Sequence, residues 1–373
     1  DIARRHGARR IVKSKSMLTE EIALNQALQA EGIEVAETDL GEYIVQVAQE
    51  PPSHIVGPAL HLSKAAIRDL FVRELGMAPT DDAEEMTRFV RERLRRAFLE
   101  ADLGISGGNF LIAETGTLCL ATNEGNGRMV TTLPPVLVAV VGIEKIVETF
   151  EDYATLAQIL PRSSTGQVMT VYTHLINGPR RADEADGPDH VYVILVDNGR
   201  SAIYATDYAE ALACLRCGAC LNACPVYQAI GGHAYGWVYS GPIGAVITPL
   251  LVGLENATPL PHASSLCGRC KEVCPVDIDL PRLLLDLRRD LVAQGHSPPL
   301  WTLGMRSWAW AARSPRRFAL GGGVIRRGAR LAPDHRPGPL GGWTDCRDLP
   351  PIASTTFRQW WEKRQKADAH EQP

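Results

Sequence analysis

Seven of the nine cysteines in this chain fall into two short runs, and each run closes on Cys-Pro. The first reads Cys214-Leu-Arg-Cys217-Gly-Ala-Cys220-Leu-Asn-Ala-Cys224-Pro225. Its C-x2-C-x2-C-x3-C-P spacing is the one by which a single loop holds iron–sulfur clusters. The second, Cys267-Gly-Arg-Cys270-Lys-Glu-Val-Cys274-Pro275, is the same run with its first position shifted to serine. The pattern constrains the fold because several thiolates must converge on one small object. Short x2 steps let three sulfurs of one tight loop reach it while backbone N–H groups face the cluster. The x3 step carries the fourth cysteine away, and the proline starts a new segment without needing an N–H donor.

In two-cluster chains the fourth cysteine of each run ligates the other cluster. Cys214, Cys217, Cys220 and Cys274 are therefore expected to hold one cluster, and Cys224, Cys267 and Cys270 the other. The second set is one thiolate short, and three residues before Cys267 stands Ser264. Three readings stay open: a [4Fe–4S] cluster with serine or solvent as fourth ligand, a [3Fe–4S] cluster, or a ligand from elsewhere. Cys119 and Cys346 are the spare thiols, and Ser264 as a plain loop residue carries equal weight. Zinc ribbons use pairs of C-x2-C rather than a four-cysteine run ending in proline. Disulfides suit small secreted domains, whereas this chain has 373 residues and no signal-peptide apolar region. Reduced, metal-loaded cysteines point to the cytoplasm.

A length of 373 residues implies two or three domains. A net charge of −4 gives no reason to expect nucleic acid as a partner. The longest apolar runs, 133–143 and 243–254, fall short of the ~20 residues that span a bilayer. Residues 1–206 read as an α/β domain with a Rossmann-like open sheet. Strands are expected at 10–13, 33–37, 109–114, 117–122, 135–141, 167–173 and 191–196. A helix capped by Thr19 follows the first strand, with Glu20 and Glu21 in its first turn. Further helices are expected at 61–75 and 82–102, and a turn at Asn123-Glu-Gly-Asn-Gly127. Residues 207–295 hold the cluster loops and a helix at 280–293, and 296–373 form a tail rich in Trp, Arg, Gly and Pro. The chain opens at Asp1, inside what reads as a working segment, so an N-terminal part is expected to be missing.

Motifs along nearly the whole chain resemble one family. They are Lys13-Ser-Lys-Ser-Met17 followed by Thr19-Glu-Glu, Leu40-Gly-Glu-Tyr43, Pro51-Pro-Ser-His54 and Ala113-Glu-Thr-Gly-Thr117. Val141-Gly-Ile-Glu-Lys145, Val196-Asp-Asn-Gly-Arg200, Gly231-Gly-His-Ala-Tyr-Gly-Trp237 and Gly241-Pro-Ile-Gly-Ala245 continue the likeness. Together they resemble the lactate-utilization iron–sulfur proteins of the LutB type. The resemblance implies a LUD-type α/β domain similar to the sugar-phosphate isomerase and CoA-transferase (NagB/RpiA) folds. It also implies an α-helical ferredoxin-like module with two clusters, and electron transfer within a multi-subunit system that oxidises L-lactate to pyruvate. Its partners would be the other subunits of that complex. The family's second motif also has three cysteines, so Ser264 is no defect of this chain.

Hydride removal from a 2-hydroxy acid needs a flavin or nicotinamide as acceptor. No G-x-G-x-x-G follows a strand here, and Gly321-Gly-Gly323 lies in a basic tail without one. That favours an electron-transfer subunit over a complete enzyme. Two alternatives stand: an α/β domain acting on a 2-hydroxy acid or thioester with the clusters as its electron path, and an iron–sulfur redox or oxygen sensor.

Other candidate residues carry weaker signals. Glu114 at a strand–turn–strand junction could be a nucleophile, with a plain tight turn as the blander reading. Lys15 and Ser16 after the first strand, with Thr115 and Thr117, are the candidates for a ligand pocket. His54 and His174 read as structural. His233, Tyr235, Trp237 and Tyr239 lie between the runs and should pack around a cluster. From 291 to 333 there is no Asp or Glu but seven arginines, interleaved with Trp301, Trp308 and Trp310. That stretch suits a lipid face at the inner membrane surface or an acidic partner, or else an arm lying on its own domain.

Overall fold

Helices separate the first three strands of the chain, the order that builds a parallel sheet. The computed structural model describes residues 1–331 and 353–370, so Cys346 and the end of the 291–333 stretch lie outside it. Nine strands are found among these residues: β1 Arg10–Lys13, β2 Glu34–Glu37, β3 Leu103–Ser106, β4 Phe110–Ile112 and β5 Thr117–Thr122, then β6 Val136–Gly142, β7 Ile146–Val147, β8 Tyr172–Ile176 and β9 His190–Val196. Five form a sheet of order β2-β1-β3-β6-β9, all neighbours parallel. Val12 pairs with Ala36 on one side and Gly104 on the other, and Ile105 pairs with Val138. The sequence V-L-V-A-V-V-G of β6 is buried along its whole length, as expected of a strand covered on both faces.

Alternation divides the apolar residues of this sheet between two cores. Val12 packs with Ile44, Phe71, Val90 and Phe98, from the helices Leu40–Ala48, Lys64–Leu75 and Ala83–Leu99. Its neighbour Ile11 faces the other side, with Leu18, Leu103, Ile105 and Val138. Helix Gly125–Thr132 crosses β3 so closely that a Cβ on Gly104 would lie 2.1 Å from the Val130 carbonyl oxygen. The other four strands form a mixed sheet, β7-β4-β5-β8, covered by helix Phe150–Thr165. Leu118 on β5 meets Ala139 and Val141 on β6, which joins the two sheets.

Beyond Arg200 the chain is helical. Helix Gly241–Val252 is buried on nearly every side. Helix Leu280–Ala293 buries Leu280, Leu283, Leu284, Leu287 and Leu291, the spacing of one helical face, and Asp279 caps its start. This helical region is built onto the α/β part within one body, residues 1–296. Tyr227 and Ser240 both donate to the Ser53 carbonyl, at 2.8 and 3.3 Å. A Cβ on Gly232 would fall 1.6 Å from that same oxygen, so only glycine admits the contact.

The strongest tie is ionic. Arg200, after β9, donates to both carboxylate oxygens of Glu21 at 2.8 Å and to Glu144 at 2.6 Å. The Arg200 and Glu21 side chains are 1% and 0% exposed. Asn198 and Tyr239 complete the Glu21 shell at 2.7 and 2.6 Å. Burial penalises the Glu21 carboxylate, but these bonds more than offset it and hold its pKa below the ordinary value.

Residues 297–373 form a separate unit. Helices Pro299–Ala312 and Pro315–Leu331 pack together, with Arg317 over the Trp310 ring at 4.5 Å, and Arg326 donates to the Ser354 carbonyl near helix Phe357–His370. Gly321, Gly322 and Gly323 lie inside the second of these helices. No helix among the described residues is long and apolar enough to cross a membrane.

Several expectations shift by local chemistry. Thr19 does not cap its helix, which runs Met17–Glu21 with Ser16 at its N-cap. The Thr19 hydroxyl instead donates to the Ser16 carbonyl at 2.7 Å and accepts from Lys13. The glycine-rich segment expected as a turn opens helix Gly125–Thr132, and the strand expected at 167–173 lies at Tyr172–Ile176. Strand β3 and the second sheet were not expected.

Replacing Arg200 with leucine would leave the buried Glu21 carboxylate without a cation and Glu144 with only Arg216, 3.7 Å away. The expected loss is about 3–5 kcal/mol in the urea unfolding of the body that holds them.

Candidate metal centre and adjoining cleft

The two cysteine loops fold back on each other. Cys214, Cys217 and Cys220 line one small cavity together with Cys274 from the second run, closed by Ile243, Ile278 and Leu280. Left-handed Arg216 and Gly218 turn the first loop, and Leu266 and Gly268 the second. The turns aim backbone N–H groups at sulfur: Arg216 to Cys214 Sγ at 3.4 Å, Ile278 to Cys274 Sγ at 3.4 Å, and Tyr227 to Cys224 Sγ at 3.5 Å. Cys270 sits within electrostatic reach of Cys224 and Cys267.

Burial pushes the Cys270 thiol up to about 11 and the Cys220 and Cys217 thiols above their ordinary value. Cys267 is exposed, and N–H bonding from Arg269 with the Ser265 hydroxyl lowers its pKa. Buried thiols of high pKa behave as inert groups until a metal displaces their protons.

Two unpaired polar groups beside these cysteines fit an iron–sulfur group. The terminal nitrogens of Arg216 are buried without a hydrogen-bond partner, and a Glu144 oxygen lies 3.7 Å from Nη2. The Tyr235 hydroxyl, buried and likewise unpaired, lies within electrostatic reach of Cys224 and Cys220. Both are donors, and anionic clusters accept hydrogen bonds at their sulfurs. Arg216 also stacks over the Tyr239 ring at 4.7 Å, and Lys145 donates to the Cys214 carbonyl at 2.7 Å. Burial and the nearby Arg216 bring the Lys145 ammonium down to about 8.

Ser264 accepts from the Leu266 N–H at 3.1 Å, within its own turn. Cys119 is a core thiol on β5, packed with Phe110 and Tyr153, and burial raises it to about 11. Tyr235 and Tyr239 pack with Cys270 in the core, with Trp237 at its margin. His233 lies apart, bonded to the Pro51 carbonyl at 2.9 Å. His54 accepts two N–H bonds at Nδ1, from Val56 and Gly57, and pairs with Asn222 at Nε2, so its ring is fully engaged.

Lys15 and Ser16 line a cleft of about 470 Å³ that begins at the carboxyl ends of β1, β3 and β6 and reaches Leu215, Arg216 and Tyr239 beside the first cysteine loop. Glu114, Thr115 and Thr117 are not among its lining residues. Glu114 accepts from the Phe150 N–H at 3.3 Å, and the Thr115 and Thr117 hydroxyls bond each other at 2.6 Å.

Sequence reading missed the charges beneath this cleft. Lys13 is 0% exposed and bonds Glu37 at 2.7 Å, Glu20 at 3.0 Å and Thr19 at 2.9 Å. Burial opposes its charge, yet Glu37 and Glu20 hold the ammonium pKa above the usual value. Glu42 is buried with one carboxyl oxygen unpaired; burial, reinforced by Glu37, raises it to about 8. The available signal was a lysine ending an apolar strand, with a glutamate ending the strand beside it.

This architecture is that of a LUD domain, matched over residues 3–196, joined to a 4Fe-4S dicluster domain, matched over 210–278. A third match, over 291–366, is to the C-terminal region of lactate utilisation protein B, and the chain belongs to the lactate utilization protein B family. It is 48% identical to a lactate utilization protein B of Shouchella clausii, over 98% of this chain and 78% of that one. The Geobacillus kaustophilus protein of that name is 49% identical, over 96% and 77%. A solved DUF162 family protein from Deinococcus radiodurans, 16% identical, aligns at a TM-score of 0.24 over 52% of this chain and 91% of that one.

Glu42 makes a pH test. Its folded pKa is raised, so the folded state binds the proton that the unfolded state releases above about pH 4.3. Stability from this group therefore falls as pH rises from there to about 8. Glu42→Gln should stabilise the protein by as much as about 5 kcal/mol at pH 8 and by little near pH 4, read from denaturation midpoints.

Proposed function

We propose that this chain is an electron-transfer iron–sulfur subunit of a multi-subunit system that oxidises L-lactate to pyruvate. Cys214, Cys217, Cys220 and Cys274 would hold one cluster. Cys224, Cys267 and Cys270 would hold the other, with Ser264 as candidate fourth ligand. The observation that carries this reading is the meeting of Cys274 with the three leading cysteines of the other run around one cavity. The clusters, most simply two of the [4Fe–4S] type, supply one-electron steps. The chain's residues keep water from them and provide donors: Tyr239 and Tyr235 by packing, Arg216 and Lys145 by charge. Lactate as the origin of the electrons is inferred from the names of the relatives.

In this division of labour, residues 1–206 are a sugar-phosphate-isomerase- and CoA-transferase-like domain, 207–295 a ferredoxin-like two-cluster module, and 296–373 a docking tail. The tail's helical hairpin exposes Trp301, Trp308, Trp310 and Leu320 together with arginines. Aromatic and aliphatic groups beside cations suit a peripheral contact with an anionic lipid face from the cytoplasmic side.

Anaerobic iron and sulfide counts with EPR test the first part. The expected result is about eight irons per chain, with signals only after reduction. Cys217→Ser and Cys270→Ser should each disturb a different signal. About seven irons and an oxidised-state [3Fe–4S] signal would show that Ser264 is no ligand. About four irons or fewer would refute two clusters. For the tail, the full chain should float with phosphatidylglycerol vesicles and not with phosphatidylcholine vesicles. Equal recovery with both would remove the lipid proposal.

A further inference from the structure

Away from the cysteines, two imidazoles and a carboxylate converge where the helical region joins the α/β region. Glu50 follows helix Leu40–Ala48, and His61 lies in the loop before helix Lys64–Leu75. His233 opens the short 3-10 turn His233–Tyr235, between the two cysteine runs. One donor atom from each of the three lies within 4.8 Å of the other two. The His61 and His233 rings meet edge to face, with centroids 4.5 Å apart. What brings them together is the joint around Ser53. Glu50 and His61 flank that residue in sequence, and Gly232, the neighbour of His233, presses against its carbonyl.

Each imidazole has one nitrogen committed to the protein. His233 donates from Nε2 to the Pro51 carbonyl at 2.9 Å, so a neutral ring carries its lone pair at Nδ1. At His61, Nδ1 lies 2.9 Å from Ser53 Oγ. The Ser53 hydroxyl spends its own proton on the Pro58 carbonyl at 3.0 Å, so Oγ accepts from His61 Nδ1–H. That leaves Nε2 of His61 facing Glu50, 2.7 Å from a carboxylate oxygen. Fixing one N–H of an imidazole on a protein oxygen sets its tautomer, and metal-binding histidines are oriented in this way.

The charge and the accessibility agree with a cation. Among the described residues, no lysine or arginine pairs with Glu50, whose ionic partner is His61. All three side chains lie at the surface, open to an ion from solvent. Calcium and magnesium prefer shells of oxygen, whereas two imidazoles and one carboxylate are a set that zinc uses with its fourth position left to water. Zinc bonds of about 2.0–2.2 Å place tetrahedral ligand atoms about 3.4 Å apart, which surface side chains reach by small torsions.

We propose that Glu50, His61 and His233 bind one zinc ion, with water as the fourth ligand. The ion clamps the turn between the cysteine runs onto the loop that follows helix Leu40–Ala48. Zinc has a filled d shell and no redox chemistry, so it holds the joint without entering the electron path. The proposal is independent of the electron-transfer reading.

The test uses zinc alone as the probe, added to the full chain after anaerobic reconstitution of its iron. Metal analysis gives the stoichiometry, zinc-edge X-ray absorption gives the ligands, and iron is counted on the same samples. The expected result is one zinc per chain, with nitrogen and oxygen neighbours at about 2.0–2.2 Å and no sulfur at about 2.3 Å. His61→Ala and His233→Ala should each weaken zinc binding by about a hundredfold or more, beyond the usual cost of losing an outer-shell partner. Glu50→Gln, which keeps the size of the side chain, should weaken it as well. Iron content should be unchanged in all three variants. A chain with a full iron count that takes up no zinc overturns the site and reduces it to a histidine–glutamate ion pair. Sulfur neighbours, or zinc that survives His61→Ala and His233→Ala combined, place the ion elsewhere and overturn it too. Loss of one iron per chain in His61→Ala would assign the triad to ferrous iron and overturn the zinc proposal. A low iron count in the wild-type chain, with zinc bound as expected, would strike at the two-cluster reading and leave this site standing.

Discussion

The pairing of Arg200 with Glu21 and Glu144 is the constraint on which the rest of the structure depends. Its three charges come from the segments after β1, β6 and β9, so it fixes the carboxyl ends of separate parallel strands against one another. Tyr239, from the helical region, bonds the same Glu21. Arg216, inside the first cysteine loop, stacks on Tyr239 and approaches Glu144. A buried pair of this kind adds little net stability over an apolar replacement of equal shape. What it contributes is placement: the metal loop cannot shift without disturbing a charge deep in the α/β core.

The helical region and the α/β region therefore form one functional unit. The Ser53 carbonyl collects Tyr227 and Ser240, and the His54 ring packs against the Gly218 turn of the cysteine loop. The polar atoms left unpaired around the cysteines are donors, and they lie beside thiols that would become anionic ligands. The same arrangement puts a lined cleft on the other side of the Leu215–Arg216 wall. Leu215 and Arg216 thus belong both to the first cysteine loop and to the lining of the cleft.

Much of this was legible in the sequence, and the reason differs from element to element. The cysteine spacing carried the metal chemistry because each ligand needs one residue type at one interval. Helix Leu280–Ala293 was legible because its leucines mark a single face, and β1 because a charged residue bounds each end of a short apolar run. Strand β3 was not: Leu-Gly-Ile-Ser is too short to show alternation and follows a helix with little punctuation. Thr19 looked like a cap because local pattern cannot reveal that a buried lysine will claim its hydroxyl. The Lys13–Glu37 pair and the Arg200 network were invisible for a related reason. Their partners meet only through the sheet order and, for Arg200, are far apart in sequence. The cleft was half legible: Lys15 and Ser16 were found from the strand-to-helix junction, whereas Leu215 and Arg216 enter from the other region. Glu114, Thr115 and Thr117 lie at the β4–β5 turn, which was legible; that its strands belong to a second sheet was not.

The unequal burial of the seven clustered cysteines gives the centre a polarity. Cys267 alone among them is exposed, while Cys217, Cys224 and Cys270 are buried and the first loop faces the interior cleft. On the reading proposed above, dioxygen would meet the second ligand set first, at the exposed Cys267. Damage in air would therefore begin at the outer terminus of the chain's electron path, disconnecting it from any partner before its inner end is touched.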